Sequence, residues 1–331
     1  MFDSLKHKAF IVTGLLVFFL NILPLCLLAQ QAPISTQYFN NPLIINPAFA
    51  GTRNALAIDI ATRQQWIGIK GAPQTYYLVA HTPVNRSKIS LGASLMADKA
   101  GPVNTNHFSL AYSYLLRINY RTFVSFGLNT GVNNYWIGLN DLKLVDYEDP
   151  YFAQNIENTW KPTVGTGLVV FTPAWYVSLS LPQIPLDRIK GPENIELYSA
   201  ARRIYASGGY YLFFADGYNV KLSWMGRFAT GAAPVHDLNA FFTIKDNFNV
   251  GITYRLESAV AMILGAQITP EIGVFYSYDF PVSGTRLHNL SNQEITISFD
   301  ISRYFIRNRD REFLRKKPAE EDRAIKSIRY F

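Results

Sequence analysis

The side chains that most often carry chemistry are few in this sequence, and their spacing does not suit catalysis. No two of the five histidines have the spacing of metal ligands on one helix face, and no cysteine is placed to assist them. His236 and Asp237 are neighbours, but neighbouring side chains on a strand point to opposite faces. Neither a G-x-S-x-G motif nor a Gly-rich phosphate loop is present. We therefore predict a protein that is not an enzyme, with no catalytic residue, no metal site and no cofactor. The histidines are His7, His81, His107, His236 and His288.

The segment at about 133–161 is the first candidate for binding chemistry, because we predict it to be a long loop. It carries five acidic residues against two lysines, which gives it a net charge of −3. That composition suits calcium, a protein partner or simple solvation. Exposed aromatic side chains on a loop are good interface anchors, although they can also pack a loop over a pore. The candidate partner-binding residues here are Trp136, Tyr151 and Trp160.

The C-terminal segment 302–331 is the second candidate, because it holds ten basic and five acidic residues. Its net charge of +5 accounts for most of the +7 of the whole chain. The rest of the chain offers no basic face, so we predict no nucleic-acid partner. The dense basic stretch suits an acidic periplasmic protein, phospholipid headgroups or peptidoglycan, or is a solvated tail. It consists of Arg307, Arg309, Arg311, Arg315, Lys316 and Lys317.

The elements that must position these residues are β-strands, because apolar and polar residues alternate from about residue 54 to residue 301. About fourteen strands are predicted, most near ten residues long, which is the length that crosses a bilayer at a tilt. Predicted connections are short after even-numbered strands and longer after odd-numbered ones, as in outer-membrane barrels. We therefore predict an all-β fold, a transmembrane outer-membrane barrel of about fourteen antiparallel strands, rather than a soluble sandwich or propeller.

The N-terminal 29 residues have the plan of a secretory signal peptide. A basic start at Lys6 and Lys8 precedes an apolar stretch, and Ala29 gives a small residue at the expected cut. The predicted organisation is a signal peptide at 1–29, an arm at 30–53, the barrel at 54–301 and a basic periplasmic tail at 302–331. An even number of strands places both termini in the periplasm. The arm contains two Asn-Pro steps, which forbid a continuous helix, and we expect its apolar residues to bury at the periplasmic mouth.

Small and polar residues are predicted to line the barrel, and this lining leaves two functions open. A barrel of fourteen strands is wide enough to need a plug or to hold water. The lining suits an inserted plug, but it also suits a channel for small or hydrophobic solutes. The residues assigned to the inner face are Gly92, Ser94, Gly127, Asn129, Gly131, Gly165 and Gly167.

The arm resembles the opening signature of the PorP/SprF family, through the stretch QYFNNPLIINPAFAGTRN directly after the signal peptide. The segment KPTVGTG at 161–167 and the final IRYF are also similar to that family. The resemblance implies an outer-membrane barrel of the Bacteroidetes type IX secretion system. It also implies, as partners, type IX components, outer-membrane lipid and secreted surface cargo such as gliding-motility adhesins. The motif residues are Tyr38, Phe39, Asn40, Pro42, Asn46, Pro47 and Gly51.

Overall fold

The computed structural model describes most of the barrel and the arm that precedes it. The described residues are 35–53, 55–84, 88–138, 156–185, 189–190, 196–198, 202–215, 217–229, 232–282 and 291–301. The predicted signal peptide, Tyr151 and the whole basic tail lie outside them, so their predictions stay untested. The described part contains no helix with the length and hydropathy needed to cross a bilayer.

Fourteen antiparallel strands close into a barrel, which confirms the predicted fold class and strand number. The first and last strands, β1 and β16, pair from Leu56 opposite Ile301 to Gln64 opposite Gln293, and this pairing closes the sheet. Two further short strands, β8 and β9, pair only with each other between β7 and β10. The strands are β1 Leu56–Gln64, β2 Gln74–Pro83, β3 Ile89–Ala100, β4 Val103–Arg117, β5 Phe123–Ile137, β6 Ile156–Phe171, β7 Trp175–Pro185, β8 Ile189–Lys190, β9 Glu196–Tyr198, β10 Arg203–Ala215, β11 Tyr218–Ala229, β12 Val235–Ile244, β13 Phe248–Arg255, β14 Ala259–Thr269, β15 Ile272–Pro281 and β16 Asn292–Ile301.

The alternation along each strand is inverted relative to a soluble barrel, because the apolar side chains face outward. In β1, Ile60 is 48% exposed on the outer face, whereas its neighbour Asp59 is 0% exposed inside. Leu91 and Leu95 of β3 are likewise exposed, and they pair with outward residues of β2 and β4. An apolar outer band around a polar interior is the pattern of a barrel that faces lipid.

The two ends of the barrel differ in their connections. At one end, called here the short-turn end, neighbouring strands are joined by two to five residues, as between β10 and β11 or β4 and β5. At the other, called the long-loop end, the connections include 18 residues between β5 and β6 and 17 between β7 and β10. The predicted asymmetry of the loops is therefore confirmed. The barrel begins at Leu56 and ends at Ile301, both at the short-turn end.

At the long-loop end, the pairing of β5 with β6 continues past the last pairing of β6 with β7, and this paired stretch is called here the wing. The wing consists of residues 133–137 of β5 and 156–160 of β6. Pairing between β6 and β7 begins only at Thr163, so the wing lies above that contact. The prediction of a loop over 133–161 was too long at both ends. Trp136 lies in β5 and Trp160 in β6, because strand pairing continues after the apolar alternation stops.

The arm lies inside the barrel, so its predicted place at the periplasmic mouth was wrong. Its first described residues, Ser35 and Thr36, contact Glu294 and Asp279, which sit near the long-loop ends of β16 and β15. The chain then crosses the lumen and reaches the start of β1 at the short-turn end. The lumen can hold the arm because many inward side chains are those of glycine and serine, which are small and leave room for a second backbone.

Candidate functional site

The candidate functional site is the arm seated in the lumen, and its local structure follows from its prolines. Pro42 and Pro47 each occupy the first turn of a short 3-10 helix, Pro42–Ile44 and Pro47–Phe49. Proline is favoured there because the amide hydrogen it lacks has no partner in a first turn. The side chain of Asn46 caps the second turn by accepting a hydrogen bond from the Ala48 amide at 2.8 Å.

Asn46 also fixes the arm to the wall of the barrel. Its Nδ2 donates to the Ser178 hydroxyl at 2.8 Å and to the carbonyls of Leu168 and Leu179 at 3.2 and 3.3 Å. The residue is fully buried. Both ends of the amide are therefore satisfied, one by the arm and one by β6 and β7. This arrangement fixes the height and the rotation of the arm in the lumen.

Serines of the wall support the arm by donating to its backbone carbonyls. Ser180 donates to Ile45 at 2.5 Å, Ser125 to Ala48 at 2.7 Å and Ser113 to Ala50 at 2.9 Å. Irregular backbone inside a lumen needs such partners, because a buried carbonyl without one costs free energy. The polar inner face of β4, β5 and β7 is thus matched to the arm.

Three apolar clusters fill the spaces between these polar contacts. Phe49 packs in the largest cluster, with its ring 6.2 Å from that of Tyr176. Tyr38 and Ile45 pack against Met225, and Leu43 packs against the inner face of β2 and β4. The other members of the clusters are Phe39, Ile44, Ala48, Ala50, Val79, Ala111, Leu115, Phe123, Val169, Phe171, Tyr205 and Tyr211.

Glycines of the wall form the cradle in which the arm lies. A Cβ added at Gly127 would stand 2.1 Å from the Ala48 nitrogen, and one at Gly167 would stand 1.9 Å from Asn46 Oδ1. A Cβ at Gly92 would meet Leu43 at 2.9 Å. These three were predicted to face inward, and the structure confirms it. Close approach of another backbone is a physical reason for glycine in a strand.

The arm is held by ion pairs where it joins the barrel at the short-turn end. Arg53 Nη1 donates to both carboxylate oxygens of Asp59 at 2.8 Å, and Nη2 lies 2.8 Å from Asp300. Ser298 hydrogen-bonds to both Arg53 and Asp59. Removing one partner of a buried pair is costly, since the other is left charged and desolvated.

At the long-loop end the arm enters a buried layer of three arginines and three carboxylates. Thr36 donates to Asp279 at 2.8 Å, its amide donates to Glu294 at 2.8 Å, and its hydroxyl accepts from Arg63 at 2.8 Å. The three arginines and three carboxylates of this layer balance in formal charge. The six residues are Arg63, Arg227, Arg255, Asp237, Asp279 and Glu294.

Four of the predicted motif residues take part in individual contacts in the lumen. The hydroxyl of Tyr38 accepts from Asn239 at 2.6 Å, and the ring of Phe39 lies 4.0 Å from that of Phe241. Asn40 donates to Gln37 at 3.3 Å. Gly51 has a φ of +72° and its amide donates to His81 at 3.0 Å, so glycine is needed for conformation and for space beside Ser90.

The other predicted binding residues are not brought together with the arm. Trp160 is 62% exposed on the wing. Trp136 is half-buried on β5, two residues beyond Asn134, which pairs with Trp160. Tyr151 and the six basic residues of the tail lie outside the described residues. Sequence reasoning missed Arg53 and the layer around Arg63. The alternation in β1 could have indicated them, since it places the charged residues Asp59 and Arg63 on the polar face of the strand.

The described residues contain no grouping that would hold a metal or act as a dyad. No set of three His, Cys, Asp or Glu side chains within the described ranges could bind a metal ion. His236 stacks on Trp224 at 5.9 Å on the outer face, while Asp237 pairs with Arg227 and Arg255 inside. The two neighbours therefore face opposite ways, as predicted. The arrangement therefore consists of an arm that occupies part of the lumen and of two barrel ends with different connections.

Comparisons with known proteins identify a family. A family model described as type IX secretion system membrane protein PorP/SprF matches residues 27–299. No curated protein matches the chain. Omp33 of Acinetobacter baumannii is 8% identical, with 75% of this chain and 99% of that chain covered and a TM-score of 0.45. A FadL homologue of Pseudomonas aeruginosa is 13% identical, with 77% and 92% covered and a TM-score of 0.45.

Proposed function

Because the chain belongs to the PorP/SprF family of type IX secretion system membrane proteins, we propose that it is a plugged, non-catalytic docking barrel. It supports secretion or cell-surface attachment of cargo proteins, gliding-motility adhesins among the candidates. Cargo docks at the long-loop end, and periplasmic machinery docks at the short-turn end. This orientation follows the rule that outer-membrane barrels keep their short turns in the periplasm.

The observation that carries the proposal is the arm in the lumen. Buried hydrogen bonds from Asn46 and buried ion pairs from Arg53 hold it at two separate heights. The middle of the lumen is therefore occupied by the chain itself, which favours docking over conduction of solutes. A channel function would require most of these contacts to break together.

The wing supports the assignment of cargo to the long-loop end. Trp160 is a large side chain with 62% of its surface exposed, and it stands on a rigid strand rather than on a loop. Exposed tryptophans on rigid elements are frequent anchors of protein interfaces. Trp175 lies at the short-turn end, is also exposed and belongs to the same barrel, so it serves as a matched control.

The basic tail supports the assignment of periplasmic machinery to the other end. It follows Ile301, which ends β16 at the short-turn end. A dense row of arginines and lysines at that position suits an acidic periplasmic protein, anionic headgroups or peptidoglycan. A solute channel has no need of such a segment.

The test is capture of partners from native outer membranes with tagged variants. We expect the unaltered protein to co-purify with type IX components or a large surface protein. Trp160→Ala should lose the surface protein while Trp175→Ala retains it. Deletion of 303–331 should leave the barrel folded but abolish the secretion phenotype. Normal cargo display by both the wing variant and the truncated chain would overturn the proposal.

A further inference from the structure

A cavity of about 530 Å³ opens beside the arm at the short-turn end, on the side of β10 to β16. We call it the vestibule. Its volume lies within the range of pockets that bind small ligands or short peptide segments, ~300–1,000 Å³. Its inner end is formed by Phe39 of the arm, and its rim includes Asn247 of the β12–β13 turn and Asp300 of β16.

The lining of the vestibule suits an uncharged group with aromatic and hydroxyl character. Phe39, Phe241 and Phe275 supply ring surface. The charges along the described lining balance, with Arg53 and Lys221 against Asp246 and Asp300. A cavity of this kind exerts little net attraction on a strongly basic segment.

One polar atom in this lining lacks a partner. Asn219 is only 3% exposed, and its side-chain oxygen receives no hydrogen bond from the described residues. A buried acceptor without a donor costs free energy, so an occupant that brings a hydroxyl or an amide hydrogen is favoured. The cavity therefore carries both an apolar and a polar requirement.

The chain itself supplies an aromatic segment that starts beside the vestibule. β16 ends at Ile301, immediately after Asp300 of the rim, and the next residues are SRYFI before the basic stretch begins at Arg307. Phe305 is four residues beyond Ile301, a reach of about 13 Å. The β12–β13 turn is three strands from β16, about 14 Å.

We propose that Tyr304, Phe305 and Ile306 bind in the vestibule and hold the beginning of the C-terminal tail against the arm. The ring of Phe305 then packs with those of Phe241 and Phe275. The basic stretch from Arg307 is thereby held at one place on the rim. That consequence rests on the proposed docking role of the tail, whereas the seating does not.

The test is disulfide trapping in the full chain, because the only cysteine is Cys26, which Cys26→Ser removes. Phe305→Cys is combined with Asn247→Cys at the vestibule or with Lys88→Cys as the control. Lys88 is exposed at the same end of the barrel, in the β2–β3 turn. From β16, β2 is only two strands away in one direction, whereas the β12–β13 turn is three strands away in the other direction. A heat-dependent shift in gel mobility shows that each variant is folded before oxidation.

We expect the 247–305 disulfide to form at least tenfold faster than the 88–305 disulfide in isolated outer membranes. Equal rates, or a faster 88–305 reaction, would show a free tail and overturn the proposal. A disulfide from position 247 to another protein, with position 305 left reduced, would also overturn it by identifying a foreign occupant. The result is independent of cargo capture, so the seating and the docking function can fail separately.

Discussion

Substitution of Gly127 by alanine tests whether the arm rests on the barrel wall as described. The added Cβ would stand 2.1 Å from the Ala48 nitrogen and 2.6 Å from its Cα. Ordinary contact begins at 3.4 Å, so the arm backbone must move by about 1.3 Å. Overpacking of this kind costs about 1–3 kcal/mol. Because the clash is with backbone, a change of side-chain rotamer cannot relieve it.

The measurement is hydrogen exchange of arm peptides in the purified protein. A cost of about 1–3 kcal/mol raises the population of the opened arm about 5- to 150-fold, since ~1.4 kcal/mol is a factor of ten. Gly208→Ala is the matched control, because its Cβ meets nothing nearer than 3.4 Å. Unchanged exchange in Gly127→Ala, or an equal rise in the control, would refute the seating of the arm.

Two further substitutions test the contacts that hold the arm at its middle and at the short-turn end. Asn46→Ala removes the donor to Ser178 and the cap of Ala48. The free energy of opening the arm should fall by the ~1–3 kcal/mol expected for buried unpaired groups, so peptides that cover residues 45–50 should exchange faster. An unchanged rate would show that these bonds do not hold the arm. Arg53→Leu leaves Asp59 buried without its partner and should lower stability by about 3–5 kcal/mol, seen as a lower temperature of the gel-mobility shift. Exposed Lys70→Ala is its control, and an equal effect of both would argue against the ion pair.

The strands were predictable from sequence because their pattern is local. Ile58 and Ile60 alternate with Asp59 and Ala61, and this period of two is enough to predict a strand and its two faces. The outward position of the apolar face was predicted from the strand length and the pattern of connections, which indicate a membrane barrel. The same logic assigned Gly127 and Gly167 to the inner face, which the structure confirms.

The place of the arm was not predictable, because its contacts join residues far apart in sequence. Asn46 and Ser178 are separated by 132 residues, and Thr36 and Asp279 by 243. Nothing in the local pattern around Asn46 reports the depth at which it lies. The inward glycines were the available signal, since they mark where another backbone approaches the wall.

The wing was missed for a different reason. Beyond residue 132 the sequence NNYWI loses its alternation of apolar and polar residues, so a period of two no longer marks the strand. Pairing with β4 and β6 nevertheless continues to Ile137. The pairing of backbones, and not the side-chain pattern, therefore decides where this strand ends.

Electrical conductance in planar bilayers tests most directly the claim that the arm plugs this barrel. The chain from residue 30 is compared with a variant that lacks residues 36–50, both checked for the heat-dependent mobility of a folded barrel. We predict that the intact protein stays closed and that the variant conducts, since removal of the arm empties the middle of the lumen. Steady open-channel conductance of the intact protein, equal to that of the variant, would contradict the account.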